Sequence, residues 1–287
     1  MTPVRMPLAI VCLSALPFAS LALELKPVTL AAFDRYVQLS EKRMDDEIRG
    51  ASPFLWIDRQ PDRERGQLLQ RLNRGEVVVT RLETLDGRAE IAVKGGLIHH
   101  WIGTVLLPGV TMDRAVAFVR QYERYPEHFA PMIRRSRVLA HTGDHYEVAM
   151  RTSTTRMLVT VVIDADYVID YRAVGVGRVW TKSVANRIAE VDSAGQPTER
   201  ARPAEQASGY LWRLNNYCAF EQRPEGTYEQ CESISLTRDL PFGVDWMIRP
   251  LVSSIPRETL AFTLGRVRAA TRPPNDRSAG PEGPALH

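Results

Sequence analysis

The chain has 287 residues, of which 44% are hydrophobic and 25% are charged, and its formal net charge is +3. These values lie in the ordinary range of globular proteins. Charges of both signs are interspersed, without a basic block or a basic-aromatic ladder, so we expect no nucleic-acid partner.

Residues 1–22 have the pattern of an export signal. Arg5 supplies the positive start, residues 8–21 form an apolar run, and Ser20-Leu21-Ala22 resembles a small-x-small cleavage site. The run is about 14 residues long and contains Pro17, whereas a membrane span needs roughly 20. We therefore expect a secreted or periplasmic protein. An uncleaved membrane anchor is the alternative.

Removal of residues 1–22 on export would remove Cys12 and leave two cysteines, Cys218 and Cys231. An even number of cysteines outside the cytoplasm favours a disulfide. The two cysteines flank a turn signal, Arg223-Pro224-Glu225-Gly226, between two strand-like runs. If Arg223 pairs with Gly226, Cys218 lies directly opposite Cys231, at a spacing that allows a disulfide. Two free buried thiols are the alternative.

Hydrophobic period and turn residues predict the elements in chain order. Helical spacing predicts helices at 29–49 and 62–72, and Asp86-Gly87 predicts a hairpin between 77–80 and 89–93. A strand at 97–107 then precedes a helix that Thr111 can cap. After this helix only strands are predicted, at 136–140, 146–152, 157–170, 173–191, 209–222 and 227–238. One of the predicted turns between them is at Asp170-Tyr171.

A final amphipathic helix follows, up to residue 270. Pro250 and Pro256 should each end or kink it. Residues 271–287 are rich in proline and contain almost nothing apolar, so we expect a disordered tail.

This order of elements predicts an α+β fold. Consecutive antiparallel strands pair through hairpins and curl into a strongly bent sheet. The concave side of that sheet is the natural place to bury the apolar stripe of the last helix. A sheet wrapped around one helix leaves space in its middle, so we expect an internal cavity lined by apolar side chains.

Several motifs carry a family resemblance: Trp101-Ile102-Gly103, Tyr125-Pro126, residues 183–190, 209–213 and 232–238, and the proline-bearing last helix. On these motifs, residues 97–270 resemble the START-like superfamily, also described as polyketide cyclase or Bet v 1-like (SRPBCC). The resemblance implies a helix-grip fold, a curved antiparallel β-sheet wrapped around a long C-terminal helix. Members mostly hold sterols, lipids, polyketides or other hydrophobic molecules, and a minority catalyse cyclisation or dehydration.

The expected organisation has four parts. Residues 1–22 are the signal peptide, 23–96 an N-terminal helical extension and hairpin, 97–270 the START-like ligand-binding domain, and 271–287 the tail.

The hairpin register gives a candidate ligand site. One face carries Arg213, Asn215 and Tyr217, and opposite them lie Leu236, Ile234 and Glu232 respectively. The intervening Ser233, Ser235 and Thr237 look solvent-facing, so we expect the first face to line the cavity. Glu232 and Arg213 would there hold the polar head of an apolar ligand. The alternatives are that the other face is the buried one, or that Glu232 and Arg213 form a structural ion pair.

His99 and His100 alternate on a strand, so at most one of them faces the cavity, and a structural role is expected. The sequence has no motif for a metal, a nucleotide or a nucleophile, so we predict no cofactor and no metal. We favour an exported binding or carrier protein for a hydrophobic small molecule or lipid, with transient membrane contact, over an enzyme. The alternatives are a cyclase- or dehydratase-like enzyme that uses Glu232, Tyr217 or a histidine as acid or base, and an envelope protein-interaction module.

Overall fold

A computed structural model of the chain describes residues 25–156, 159–239 and 245–272. The predicted signal segment and most of the predicted tail lie outside these ranges. The helices are α1 (Pro27–Ile48), α2 (Asp62–Asn73), α3 (Met112–Val119), α4 (Tyr125–His128) and α5 (Asp245–Thr271). The strands are β1 (Val78–Arg81), β2 (Leu85–Asp86), β3 (Ala89–Glu90), β4 (Gly96–Pro108), β5 (Ile133–Thr142), β6 (His145–Arg156), β7 (Val159–Gly175), β8 (Arg178–Asp192), β9 (Arg200–Ala201), β10 (Arg213–Arg223) and β11 (Gly226–Arg238).

Most of the described strands form one curved antiparallel sheet in the order β1-β4-β11-β10-β8-β7-β6-β5, with β9 attached to β8. The long helix α5 packs on this sheet. The predicted α+β helix-grip architecture is therefore confirmed. None of the helices in the described ranges has the length and apolar character that a membrane crossing requires.

The sheet face that α5 covers, called the inner face here, carries Val105, Phe220 and Cys231. Helix α3 covers the same face, and Thr111 caps it by accepting a hydrogen bond from the backbone N–H of Arg114, as predicted. Two leucines of α5 pack closely on Gly103 of β4, where an added Cβ would lie 2.6 Å from Cδ1 of Leu264 and 3.0 Å from Cγ of Leu260. The missing side chain therefore allows α5 to lie directly on β4.

Gly103→Ala should lower the free energy of unfolding by about 1–3 kcal/mol, because the new methyl group overpacks against α5. Gly265→Ala, in α5 itself, is the matched control. Its added Cβ meets only Cγ2 of Val77, at 3.9 Å, and alanine has the higher helix propensity, so this variant should be neutral or stabilising. Urea denaturation measures both. Equal effects would contradict the close approach at Gly103.

The opposite, outer face of the sheet is covered by α1 and α2. Phe33 and Tyr36 of α1 pack with Ile234 and Leu236 in one buried cluster. Leu68 and Leu72 of α2 pack in another, with residues that include Leu106 and Tyr228. Both faces of the central strands are thus buried, and the N-terminal segment shares a core with the sheet.

The hairpin register is confirmed. Arg223 pairs with Gly226, and Cys218 pairs with Cys231. A disulfide joins the two cysteines, as predicted.

The strand pairing in the structure differs from the prediction at two predicted turns. Asp86-Gly87 does form a turn, between the short strands β2 and β3, but residues 78–81 pair with β4 instead of with 89–93. The predicted turn at Asp170-Tyr171 is wrong. Both residues lie inside β7, which runs to Gly175 and turns back at Val176-Gly177.

The predicted interruption of the last helix is also wrong in part. Helix α5 is a single element from Asp245 to Thr271, so neither Pro250 nor Pro256 ends it.

Candidate functional site

The predicted ligand residues lie on the outer face, so the predicted orientation of the hairpin is reversed. This set comprises Arg213, Asn215, Tyr217, Glu232, Ile234 and Leu236. Tyr217, Ile234 and Leu236 pack against α1, whereas Leu214, Cys218 and Phe220 belong to the cluster that contains Leu260 and Leu264 of α5. Alternation determines which residues share a face, but the packed helices determine which face encloses the interior.

Glu232 is the centre of a buried polar network beneath α1. Its Oε1 accepts a hydrogen bond from Nη2 of Arg43 and lies 2.6 Å from Nε2 of His100. Nδ1 of the same histidine is 2.8 Å from the hydroxyl of Tyr36, which accepts a hydrogen bond from the backbone N–H of Thr84. Burial acts to raise the pKa of Glu232, but the hydrogen bond to His100 and the Arg43 charge outweigh it and lower the pKa. Glu232 thus attaches α1 to the sheet.

The other polar members of the predicted set have similar contacts. The Tyr217 hydroxyl donates to Oε1 of Glu41 in α1 at 2.7 Å and accepts from Asn215 at 3.1 Å. Arg213 donates to the carbonyl of Trp212. The alternative of a structural ion pair at Glu232 is therefore correct, but the partner is Arg43 and not Arg213. A role of these residues in ligand binding stays a prediction.

A small cavity of about 20 Å³ lies beside this network. Its polar lining includes Glu47, Tyr217, Gln230 and Glu232. This volume is enough for about one water molecule, so it is too small for an organic ligand.

The inner face contains a different polar residue, Glu229. It is 3% exposed and pairs in the sheet with Val105 and Phe220. Its Oε2 has no hydrogen-bond partner, and its Oε1 lies 3.8 Å from Sγ of Cys231, a disulfide sulfur that has no proton to donate. Burial raises the pKa of Glu229 to about 8, so the carboxyl is mostly protonated at neutral pH.

A group of tyrosines packs in the same inner-face cluster, on the side of the sheet that carries this carboxyl. The hydroxyls of Tyr122 and Tyr171 are 2.6 Å apart, and the Tyr125 hydroxyl donates to the carbonyl of Val119 at 2.6 Å. Burial is the main cause that raises the pKa values of Tyr125 and Tyr171, and the charge of Glu229 adds to it in both. We call Glu229, Tyr122, Tyr125 and Tyr171 the Glu229 cluster.

Sequence reasoning missed Glu229 because it placed this residue on the side taken as solvent-facing. One sequence signal pointed the other way. Glu229 lies opposite Phe220 in the predicted register, and a large aromatic side chain favours a buried face.

Apolar side chains enclose the Glu229 cluster. They come from the sheet, from α3 and from α5, and include Val105, Val119, Phe129, Val148, Phe220 and Leu264. This composition, mostly apolar with a few polar groups, is typical of sites for hydrophobic ligands.

A groove of about 390 Å³ lies outside this interior, between α3, α4 and the end of α5. It is lined by Arg114, Ala117, Phe118, Gln121, Arg124, His128, Ala270 and Thr271. Phe118 also belongs to the interior cluster. Its ring centroid is 6.4 Å from that of Phe129, which is 4.7 Å from that of Tyr125. A row of aromatic rings therefore connects the groove to the Glu229 cluster.

His99 is a buried histidine on the inner face and a candidate acid-base partner for Glu229. Its Nε2 is 2.9 Å from Oγ1 of Thr237, and burial, with a smaller effect of Arg81, lowers its pKa to about 4. His99 pairs with Ser235, six residues along β11 from Glu229, which is a distance of roughly 20 Å. The two side chains therefore do not form an acid-base pair. In the described part of the chain, no group of three His, Cys, Asp or Glu residues can hold a metal ion.

No protein-family model and no curated protein matches the chain. Solved structures do match. A STAR-related lipid transfer protein from Xanthomonas axonopodis is 15% identical, with a TM-score of 0.42 over 66% of this chain and 98% of its own. The Zhui aromatase/cyclase from Streptomyces is 8% identical, with a TM-score of 0.43 over 64% and 97%. A START superfamily protein from Mycobacterium smegmatis is 11% identical, with a TM-score of 0.37 over 61% and 96%.

At TM-scores of 0.37 to 0.43 these structures describe a likeness only, and the fold of this chain rests on its own strands and helices. Identities of 15% or less leave the function to be argued from this chain's own residues.

Proposed function

We propose that the chain is an exported binding or carrier protein that holds a hydrophobic small molecule or lipid on the inner face of the sheet, beside Glu229. The observation that supports this most is the unpartnered carboxyl of Glu229. A buried polar group without a partner costs about 1–3 kcal/mol. A ligand that brings a hydrogen-bonding atom to Glu229 recovers this cost, and its apolar part gains from burial among the surrounding side chains.

The groove beside Phe118 is the proposed entry route. It offers about 390 Å³ at the surface, and its floor is an interior aromatic ring. Rotation of Phe118 and Phe129 would open the way to Tyr125 without any change in the sheet. Side-chain rotations of this kind are common on ligand binding.

The acid-base candidates Glu232 and Tyr217 lie under α1 and outside the proposed ligand site. Helix α1 also uses its apolar side against the sheet. A binding function therefore has better support than a cyclase that uses Glu232 or an interaction module that uses the apolar side of α1.

Export to an oxidising compartment is part of the proposal. The disulfide between Cys218 and Cys231 supports it, because such bonds persist outside the cytoplasm. Cleavage after Ala22 should give a mature chain that begins at Leu23. The intact mass of the protein from the periplasm or culture medium tests this, and a mass that includes residues 1–22 would contradict it.

Photolabelling with a long-chain alcohol that carries a diazirine tests the position of the ligand. Peptide mapping should find the label on α3, on β7 and near Glu229, and native mass spectrometry should find one copy of the probe per chain. Unlabelled dodecanol in excess should suppress the label. Labelling confined to α1, or no retained probe at all, would overturn the proposed function.

A further inference from the structure

The polar groups of the Glu229 cluster differ in whether they have a hydrogen-bond partner. The hydroxyls of Tyr122 and Tyr171 bond to each other, and the Tyr125 hydroxyl bonds to a backbone carbonyl. The carboxyl of Glu229 has no such partner. A ligand that reached this cluster would therefore meet a carboxylic acid whose Oε2 has no hydrogen-bond partner.

Among the residues that the structure describes, no arginine or lysine pairs with this carboxyl. Its Oε2 has no hydrogen-bond partner, and burial is the cause that raises its pKa. The guanidinium of Arg120 lies 4.2 Å from the ring centroid of Tyr171 and pairs with Asp144 at 2.6 Å. Its Nε is also without a partner, but its charge acts on Tyr171 and not on Glu229.

The side chains that α5 contributes to the interior cluster are apolar: Leu260, Leu264 and Val267. Among the described residues, the titratable and charged groups around the carboxyl are Tyr122, Tyr125, Tyr146, Tyr171 and Arg120, and the guanidinium of Arg120 is already paired with Asp144. Tyr122, Tyr125 and Tyr171 are neutral at physiological pH because burial raises their pKa values. An anionic ligand head beside Glu229 would therefore be buried without a counter-ion, and burial of an unpaired charge is strongly unfavourable.

We infer that the site selects hydrophobic ligands whose polar group is neutral and accepts a hydrogen bond, such as an ester, a ketone or an alcohol, and that it rejects the corresponding carboxylates and phosphates. The acidic O–H of Glu229 donates to the carbonyl or hydroxyl oxygen of the ligand. This inference rests on the proposed function, because it specifies the ligand class of the same site.

Affinity for neutral ligands should depend on pH. Glu229 has its O–H donor only while it is protonated, and burial raises its pKa to about 8. Above that pH the carboxylate offers acceptors only, and it repels the carbonyl oxygen that it previously bound. The affinity should therefore fall as the pH rises from about 7 to about 9.

The experiment compares three twelve-carbon probes with the full chain: methyl laurate, dodecanol and laurate. Each probe competes with an apolar fluorescent dye, N-phenylnaphthylamine. Near pH 7 we expect methyl laurate and dodecanol to bind at least about tenfold more tightly than laurate, a difference of about 1.4 kcal/mol. The affinity of the two neutral probes should drop several-fold by about pH 9.

Variants assign the selectivity to Glu229. Glu229→Gln keeps a hydrogen-bond donor without the titration, so it should bind the neutral probes with no pH dependence. Glu229→Met removes the donor and should lower the affinity for methyl laurate and dodecanol. Glu147→Gln, on the exposed side of β6, is the matched control and should behave as the wild type.

The results distinguish a failure of the proposed binding function from a failure of the proposed selectivity. If the dye and all three probes fail to bind, the proposed function is overturned. If the dye binds but laurate competes as well as methyl laurate, with no change up to pH 9, binding stands and the selectivity for neutral ligands is wrong. These comparisons use the wild-type chain, so they hold even if a variant fails to fold.

Discussion

Replacing Glu229 with glutamine should stabilise the protein at alkaline pH and remove most of the decline in stability between about pH 6.5 and 8. Burial raises the pKa of Glu229 to about 8, whereas an unfolded chain has it near 4.3. The folded state therefore holds a proton that unfolding releases, and stability falls as the pH rises through this window. Between pH 5 and 8 the loss is on the order of 4 kcal/mol.

His99 contributes with the opposite sign. Burial lowers its pKa to about 4, so the folded state favours the neutral ring. Its contribution is fully present above about pH 6.5 and is lost as the pH falls toward 4. The two groups offset each other below about pH 6.5. Above it the effect of Glu229 remains alone, on the order of 2 kcal/mol by pH 8.

Urea denaturation of the wild type, Glu229→Gln and His99→Gln across pH 4.5–8 measures this. Glu229→Gln should gain stability from pH 4.5 to 6.5 and then stay flat. His99→Gln should lose stability over the whole range. If the wild type and Glu229→Gln run parallel from pH 6.5 to 8, Glu229 is not a buried, protonated carboxyl.

The register of the β10–β11 hairpin could be predicted from the sequence because local chemistry determines it. The Arg223–Gly226 turn and the pair Cys218–Cys231 each specify the same alignment, and all the predicted cross-strand partners follow from it. A hairpin closes through neighbouring residues, so no knowledge of the rest of the chain was needed.

The orientation of the hairpin could not be predicted in the same way. Nearly every residue of β11 is buried, because helices cover both faces of the strand. Polarity therefore does not alternate: Ser235 and Thr237 are buried on the inner face, and Glu232 is buried on the outer face. Only the packing of α1, a contact between segments almost 200 residues apart, distinguishes the two sides.

The burial of Glu229 also depends on such distant contacts. A glutamate in a strand is usually exposed, and nothing adjacent to Glu229 in the sequence indicates that α3 and α5 cover it. The Gly103 position, where α5 lies directly on β4, was visible in the sequence only as part of a family motif. Its close approach to α5 requires the helix to be in place.

Glu232→Ala should lower the free energy of unfolding by about 3 kcal/mol, the usual cost of breaking a buried ion pair. The Glu232 side chain is 5% exposed, and its removal leaves Arg43 and the buried His100 without their shared acceptor. Arg35→Ala is the matched control. It breaks the Arg35–Asp86 pair, which also ties α1 to the rest of the chain, but both side chains are 47% exposed, so stability should barely change.

The effect of Glu232→Ala should depend on pH with a known sign. The His100 contact and the Arg43 charge lower the pKa of Glu232, so its stabilising contribution is present at neutral pH and is lost as the pH falls through its folded-state pKa. The difference in unfolding free energy between wild type and Glu232→Ala should therefore shrink in acid. Limited proteolysis should also cut α1 sooner in this variant than in Arg35→Ala. Equal proteolysis of the two variants, with equal stability, would mean that the Glu232 network does not hold α1 on the outer face.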